Sequence, residues 1–537
     1  MDSPLLVAQK LSSSTHYHGN ESIYHVYPRD CTPYEARFRL ASPILPTAFL
    51  LRDLQDVTLD FGGGTLLLHG KTQPFVIENC LNIVIKNVVV CHDRPSFTEL
   101  EVIEKGDDFI RVKPNHHHPC RVEDGKLIPT SEYWENTNLD RTNMFIQSFD
   151  SDTRDGLGSP LCMIGKTIHR DPKFPFNVNQ YVAYQDGDAI ILKGPVFDCY
   201  KVGCILALGH ESRDFSSVLV KESENITLDH YRVLNGAGMG ILPIHSKDLT
   251  LNHVDFKYDN ASQGIISNHA DAIHAFACSG RLDIIDCTCE GMIDDALNIH
   301  SQFYLLDSFQ GKTVRLETRS PGVPTYCTIF GIGDTIGIHD GNTMDIEREY
   351  TIVDKRIIDN HFMELDLDAP IADHAIGSLV ENLTAQPDIT IRRSTFDKAN
   401  SHLRFQSSGK ILIEDCRIGL PILLTGDASY WYESSGIKDM TIANTTFASN
   451  KARIRITPEI MPSDREPYYH KNIRIKNCTF ESCNPIEGSY ADNIVLEDTK
   501  QAQGKTLTLK LTNCGKVQAD GCIIERHVET KQSLRVN

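Results

Sequence analysis

Along the chain, short runs recur in which two aliphatic side chains flank one residue that is polar in most of them. They are DVTL around Val57, NIVI around Ile83, NITL around Ile226, DLTL around Leu249, RLDI around Leu282, DITI around Ile389, KILI around Ile411, DMTI around Met440, NIRI around Ile473, NIVL around Ile494 and KVQA around Val517. Alternation of this kind suits a strand with one face turned inward. The closest neighbours are separated by 26, 23, 22, 21 and 23 residues, with further steps of 29 and 33 and two long gaps of 143 and 107. A short β-rich unit at this period, closed by Asn, Asp or Gly, cannot bury its apolar face alone but can do so against the next unit. The pattern predicts an all-β chain wound as a parallel β-helix. A leucine-rich repeat would need a Leu-rich consensus with fixed asparagines, and a β-propeller would need Trp or Gly-His blade signatures; neither is present.

The first coils open with FLLRDLQDV and LDFGGGTLLLHG, where Gly62, Gly63 and Gly64 read as a tight corner, since no helix with Lys and Ser or Thr follows to make a phosphate loop. The long gaps hold longer strands separated by Gly, Asp and Asn turns, among them LEVIEKGDDFIRVKP, DGDAIILKGPV and YTIVDKRIIDNHFMELDLDAP. These predict two inserted antiparallel β-barrel-like modules. The expected division is N-terminal coils at 1–95, a first module at 96–199, central coils at 200–300, a second module at 301–382 and C-terminal coils at 383–537.

Length and charge narrow the partners. The 537 residues exceed one ordinary compact core, which a stacked repeat accommodates. The formal charge of -19, from 53 Lys and Arg against 72 Asp and Glu, argues against nucleic acid or an anionic membrane and for a neutral ligand. The opening MDSPLLVAQKLSSS lacks the pattern of a signal peptide and no apolar run is long enough for a bilayer span. A soluble chain is expected, periplasmic or secreted if a leader precedes it and otherwise cytoplasmic. Of the 16 cysteines, Cys80, Cys287, Cys416, Cys478 and Cys514 share one pattern, aliphatic, any residue, Asp or Asn, then Cys. They are expected to stack as buried small hydrophobes rather than form disulfides or bind metal. His116, His117 and His118 before Cys120 read as a solvated loop.

The candidate chemistry lies in HADAIHAFACSGRLDIIDCTCEGMIDDALNIH, from His269 to His300. Asp271 precedes Asp294 and Asp295 by 23 and 24 residues, about one coil. Residues one coil apart lie about 4.8 Å from each other, so Asp271 is expected beside one of the pair. Neighbouring residues of a strand point to opposite faces, so both can face the site only at a bend, which Gly291 would allow. Clustered carboxylates separate into one that keeps a proton and one that stays charged, as glycoside hydrolysis requires. A lone Asp at a coil corner usually caps backbone N–H groups; three at one-coil spacing beside His274, Asn298 and His300 favour chemistry. The two histidines read equally as core or edge residues. A metal site has no recognised ligand spacing here. A second cluster, GDASYWYESSG, offers Asp427, Tyr430, Trp431, Tyr432 and Glu433, whose aromatic faces and carboxylates suit a sugar or a packed rim loop. Arg404, one coil earlier, could bind sugar hydroxyls or pair with an acid.

HADAIH at 269–274, IDDALNIH at 293–300, GDASYWYESSG at 426–436 and VENLT at 380–384 resemble the family 110 glycoside hydrolases. The resemblance extends from about Leu45 to about Leu496. It implies a right-handed parallel β-helix with two inserted β-barrels and an inverting exo-α-1,3-galactosidase that uses no metal and no organic cofactor. It makes Asp271, Asp294 and Asp295 catalytic and puts Trp431 and Glu433 in a sugar-binding motif; His274, Asn298, His300, Arg404 and Asp427 are further candidates for binding substrate from their place beside these residues. By analogy with β-helical polygalacturonases, Asp294 is the acid while Asp271 and Asp295 hold water. The Gly-His-Gly of those enzymes is missing, and the Arg474, Ile475, Lys476 run falls in a repeat core. The expected partner is a galactose-terminated glycan, branched as in the blood group B antigen, linear, or a sulfated galactan. A homodimer is left open. Alternatives on the same scaffold are a polysaccharide lyase, a polygalacturonase-like hydrolase and a non-catalytic carbohydrate-binding solenoid.

Overall fold

The computed structural model describes residues 11–35, 44–133, 144–157, 162–164, 178–209, 215–258, 264–320, 329–340, 345–371, 376–399, 401–459, 468–482, 486–530 and 535–536. The first ten residues, on which the reading of the N-terminus rests, lie outside them. All eleven aliphatic cores stand in register in one parallel sheet. Val57 pairs with Ile83, Ile83 with Ile226, Ile226 with Leu249, Leu249 with Leu282 and Leu282 with Ile389. Ile389 continues to Ile411, Met440, Ile473, Ile494 and Val517. Each is buried. The two long gaps therefore vanish at this sheet, because Ile83 lies beside Ile226 and Leu282 beside Ile389. A second parallel sheet includes Gln73–Glu78, Val218–Lys221, Ile241–Ile244, Ile273–Phe276, the start of Leu297–Gln310, Leu403–Gln406 and Ile422–Leu424. The aliphatics of both sheets fill one continuous core. The architecture is a parallel β-helix.

The corners explain the Asp or Asn before each patterned cysteine. Asn79, Asp286, Asp415, Asn477 and Asn513 have φ of 53, 54, 55, 50 and 51°, the left-handed region that Asn and Asp tolerate best among residues with a side chain. The following Cys then turns back into the core. The five cysteines occupy two corner positions of the coil rather than one. Cys80 and Cys514 sit three positions before Ile83 and Val517, at the corner that leads into the first sheet. Cys287, Cys416 and Cys478 sit at the opposite end of their strands. Between them stand small hydroxyl residues: Cys80 N–H donates to Ser223 Oγ at 3.0 Å, Cys287 N–H to Ser394 Oγ at 3.1 Å and Cys416 N–H to Thr445 Oγ1 at 3.4 Å. Cysteine here is one of several small residues that fit the corner, and all five are buried free thiols.

The glycine run is a bulge in the strand Gln55–Leu68, where the register shifts between Asp60 and Gly64. A Cβ at Gly62, whose φ is +61°, would meet Gly19 O at 2.6 Å. The first excursion forms an eight-stranded sheet, ordered Val178–Asn179, Cys162–Ile164, Met144–Asp150, Cys204–Gly209, Phe97–Lys105, Phe109–Pro114, Ala189–Lys193 and Val182–Asp186. It is antiparallel except at the Val178–Asn179 edge, and it stays open rather than closing into a barrel among the described residues. His118 in this module is buried and accepts Glu99 N–H at 2.9 Å on Nδ1, so only His116 and His117 are solvated as expected. The second excursion does close. Leu297–Gln310 pairs with Thr313–Glu317, which pairs in turn with Phe362–Leu367, Ile346–Ile357, Thr335–His339 and Leu379–Asn382, and the last returns to Leu297–Gln310. One strand thus runs from the solenoid into the barrel. Among the described residues no helix is long and apolar enough to cross a membrane.

The ladder predicts a sharp contrast between its two faces. Ile284 is fully buried between Leu251 and Ile391, so Ile284→Ala should cost about 2–5 kcal/mol in chemical unfolding. Arg474 projects outward with a 3.9 Å contact to Glu497, and Arg474→Ala should change stability by about 0.5 kcal/mol or less.

Candidate active site

The three aspartates are placed by two coil turns that share one asparagine. Asn268 bridges Gly236 on the preceding coil and Met292 on the next. Its amide donates to Gly238 O at 3.0 Å and Asp271 O at 2.7 Å, which fixes the turn that carries Asp271. Ala272 N–H then donates to Asp295 O at 3.1 Å, and Ile273 pairs with Leu297. Asp295, rather than Asp294, is therefore the residue in register with Asp271. Gly291, at φ +78°, starts the bend; a Cβ there would meet Ile265 O at 2.5 Å. In that bend Asp295 N–H donates to Asp294 Oδ1 at 3.1 Å, and Asp294 is half-buried while Asp271 and Asp295 are 3% and 4% exposed.

The buried carboxylates are treated differently by their surroundings. Asp295 Oδ1 accepts hydrogen bonds from Ser401 Oγ and from His402 N–H at 2.9 Å, and its Oδ2 accepts from Arg404 Nε at 3.2 Å. Burial disfavours its charge, but Arg404, His402 and Ser401 outweigh that and hold its carboxyl well below the usual range. Asp271 has fewer donors. Burial and then the charge of Asp294 push it up, to about 6, while His274 pulls the other way. His274 Nδ1 lies 2.6 Å from Asp271 Oδ2, and its Nε2 lies 2.9 Å from His300 Nε2. Burial lowers the His274 pKa, but the hydrogen bond and charge of Asp271 raise it further. Burial leaves His300 lowered.

The second cluster reaches the same place. Glu433–Ser434 pairs antiparallel with Ser301 and Gln302, where the strand Leu297–Gln310 leaves the solenoid. Glu433 Oε2 accepts from Gln406 Nε2 at 2.5 Å and its Oε1 lies 3.6 Å from His300 Nε2. Burial would raise this carboxyl, but His300, Arg404 and Gln406 hold it low. Arg404 pairs in register with Asn298, and Asn298 with His274. Asp271, His274, Asp294, Asp295, Asn298, His300, Arg404 and Glu433 thus converge. Trp431, 42% exposed, lies on the rim.

Asp427 is held by its own loop. Its Oδ1 accepts from Ser429 N–H and Oγ, both at 2.7 Å, and its Oδ2 accepts from Trp431 N–H and from Tyr432 N–H at 3.0 Å. It shapes the loop that presents Trp431, helped by Gln302 Nε2, which donates to Trp431 O at 2.8 Å. His274 and His300 likewise direct their nitrogens at Asp271, each other and the backbone. Ser401, His402, Gln302 and Gln406 went unrecognised in the sequence. Ser401 and His402 stand in SHLRFQSSG beside Arg404, but their contact with Asp295 spans 106 and 107 residues. Among the described residues, the group of three possible metal ligands is Asp229, His230 and His253 on the outer corner of the first sheet, not the aspartates.

A buried carboxylate cluster at the junction of a parallel β-helix and an inserted barrel is a setting suited to carbohydrate chemistry. Over 485 residues the chain is 28% identical to an α-1,3-galactosidase B of Bacteroides thetaiotaomicron, spanning 84% of this chain and 75% of that protein. It is 24% identical over 556 residues to an α-1,3-galactosidase A of Bacteroides fragilis, spanning 96% and 87%. The chain is thus similar over most of its length to proteins named α-1,3-galactosidase, as the resemblance to the family 110 glycoside hydrolases implies. No family model matches it. A solved chain titled "Glycoside hydrolase" aligns at 8% identity with a TM-score of 0.28, covering 84% of this chain and 89% of that one. A family 28 exopolygalacturonase of Yersinia enterocolitica aligns at 9% with a TM-score of 0.25, covering 92% and 78%. Superpositions this loose carry no weight for chemistry.

Asp427→Ala should leave the solenoid folded yet free the amides it holds. Hydrogen exchange at 429–432 should rise about tenfold or more, as the loss of charge-assisted bonds worth about 1.5–3 kcal/mol implies.

Proposed function

We propose that the protein is an exo-acting glycoside hydrolase that releases terminal α-1,3-linked galactose with inversion. The observation that carries this reading is the convergence of the three aspartates on one site; the acid role of Asp294 follows the polygalacturonase pattern. Asp295 is held ionised by Arg404, His402 and Ser401, Asp271 Oδ2 meets His274 Nδ1 at 2.6 Å, and Asp294 stands half-exposed beside them. The printed names of the relatives supply the substrate class.

In this reading Asp294 gives its proton to the leaving glycosidic oxygen as the C1–O bond breaks. A water held between Asp271 and Asp295 attacks C1 from the opposite face. Asp271, whose Oδ2 meets His274 Nδ1, takes the water's proton, and exchange with solvent returns a proton to Asp294. Arg404 and Asn298 contact sugar hydroxyls beside Glu433, and Trp431 stacks on the apolar face of a sugar at the rim. No step calls on a metal or organic cofactor.

Two outcomes follow. Asp294→Asn should lower turnover of an α-1,3-galactoside by about 10³-fold or more with the thermal midpoint unchanged; near wild-type turnover would sink the assignment. The rate should also fall as pH drops through about 6, because the base Asp271 then takes up a proton. A profile flat from pH 7 down to pH 4.5 would remove Asp271 from that role.

A further inference from the structure

Two imidazoles stand in series behind Asp271. His274 and His300 meet through their Nε2 atoms at 2.9 Å, so one must donate and the other accept. The choice is made at the far end. His300 Nδ1 lies 2.7 Å from Ser301 O, and a carbonyl only accepts, so Nδ1 carries the His300 proton. A neutral His300 then has a bare Nε2, which can only accept from His274. His274 can then also donate from Nδ1 to Asp271 Oδ2, 2.6 Å away, only as the imidazolium, the form that the Asp271 contact and an acceptor at Nε2 both favour.

We propose that His300 is a positioning residue: by locking its own proton on the Ser301 carbonyl it makes His274 the double donor that keeps Asp271 ionised. Burial supports the neutral form of His300, and the Asp271 contact supports the charged form of His274. The ring of His300 is fixed against Phe276, 5.1 Å away, and stands edge-on to His274 at 4.9 Å. The charged groups that face this pair are Asp271 and Asp295 on their own coils and Glu433 on the rim strand; Asp294 acts on Asp271, His402 on Asp295, and Arg404 on both Asp295 and Glu433. Glu433 Oε1, 3.6 Å from His300 Nε2, would favour a charged His300. Its own bond to Gln406 at 2.5 Å and the field of Arg404 compete for that charge.

This inference rests on Asp271 acting as base, so its test has an arm that needs no substrate. In protein labelled with ¹⁵N-histidine, the His300 signals, identified by their loss in His300→Gln, should report a proton on Nδ1 and none on Nε2 at pH 7. A proton on Nε2 would overturn the proposal whatever the enzyme turns over. In kinetics on an α-1,3-galactoside, His300→Leu removes the acceptor and should move the acidic limb of kcat/KM upward by about one pH unit or more. His300→Gln, which offers a carbonyl near the same place, should hold the limb close to wild type. A limb unmoved in His300→Leu with only kcat reduced would mean plain packing and overturn the proposal.

Discussion

Everything in this molecule depends on coils lying in register at the spacing of a parallel sheet. The eleven stacked aliphatics from Val57 to Val517 leave no coil able to bury its own face. The same register brings together residues far apart in sequence: Asp271 beside Asp295, then Asp295 beside Ser401 and His402 across the whole second excursion. A site assembled this way inherits the stiffness of the ladder, which is what preorganised carboxylates need.

The excursions leave and return without disturbing that register. The strand Leu297–Gln310 carries Asn298 and His300 while it is still part of the solenoid, then turns into the barrel and pairs at Ser301 and Gln302 with the rim strand that holds Glu433. The barrel thereby fixes the rim loop against the aspartates. Asp427 places both carboxylate oxygens on that loop and so supports Trp431.

The ladder was legible because alternation at a nearly constant step is a local signal, and gaps of 143 and 107 residues do not blur it. The aspartates were legible for the same reason, though the spacing left open whether Asp294 or Asp295 stands beside Asp271. What escaped depends on pairing between distant residues. Whether an antiparallel module closes is decided by which edge strands meet, so one closed and the other stayed open among the described residues. Ser401 and His402 look like any loop residues until the register sets them on Asp295. Asp427 and Glu433 read alike in sequence, yet one caps backbone and the other faces His300. His118 differs from His116 and His117 through its contacts with Glu99 and Phe97.

The most direct measurement is proton NMR during digestion of a trisaccharide ending in α-1,3-galactose. Asp294 protonating the leaving oxygen, with water held opposite by Asp271 and Asp295, predicts β-galactose as the first-formed sugar, with the α-anomer appearing only as it mutarotates. First-formed α-galactose, or no galactose after prolonged incubation, would contradict that division of labour.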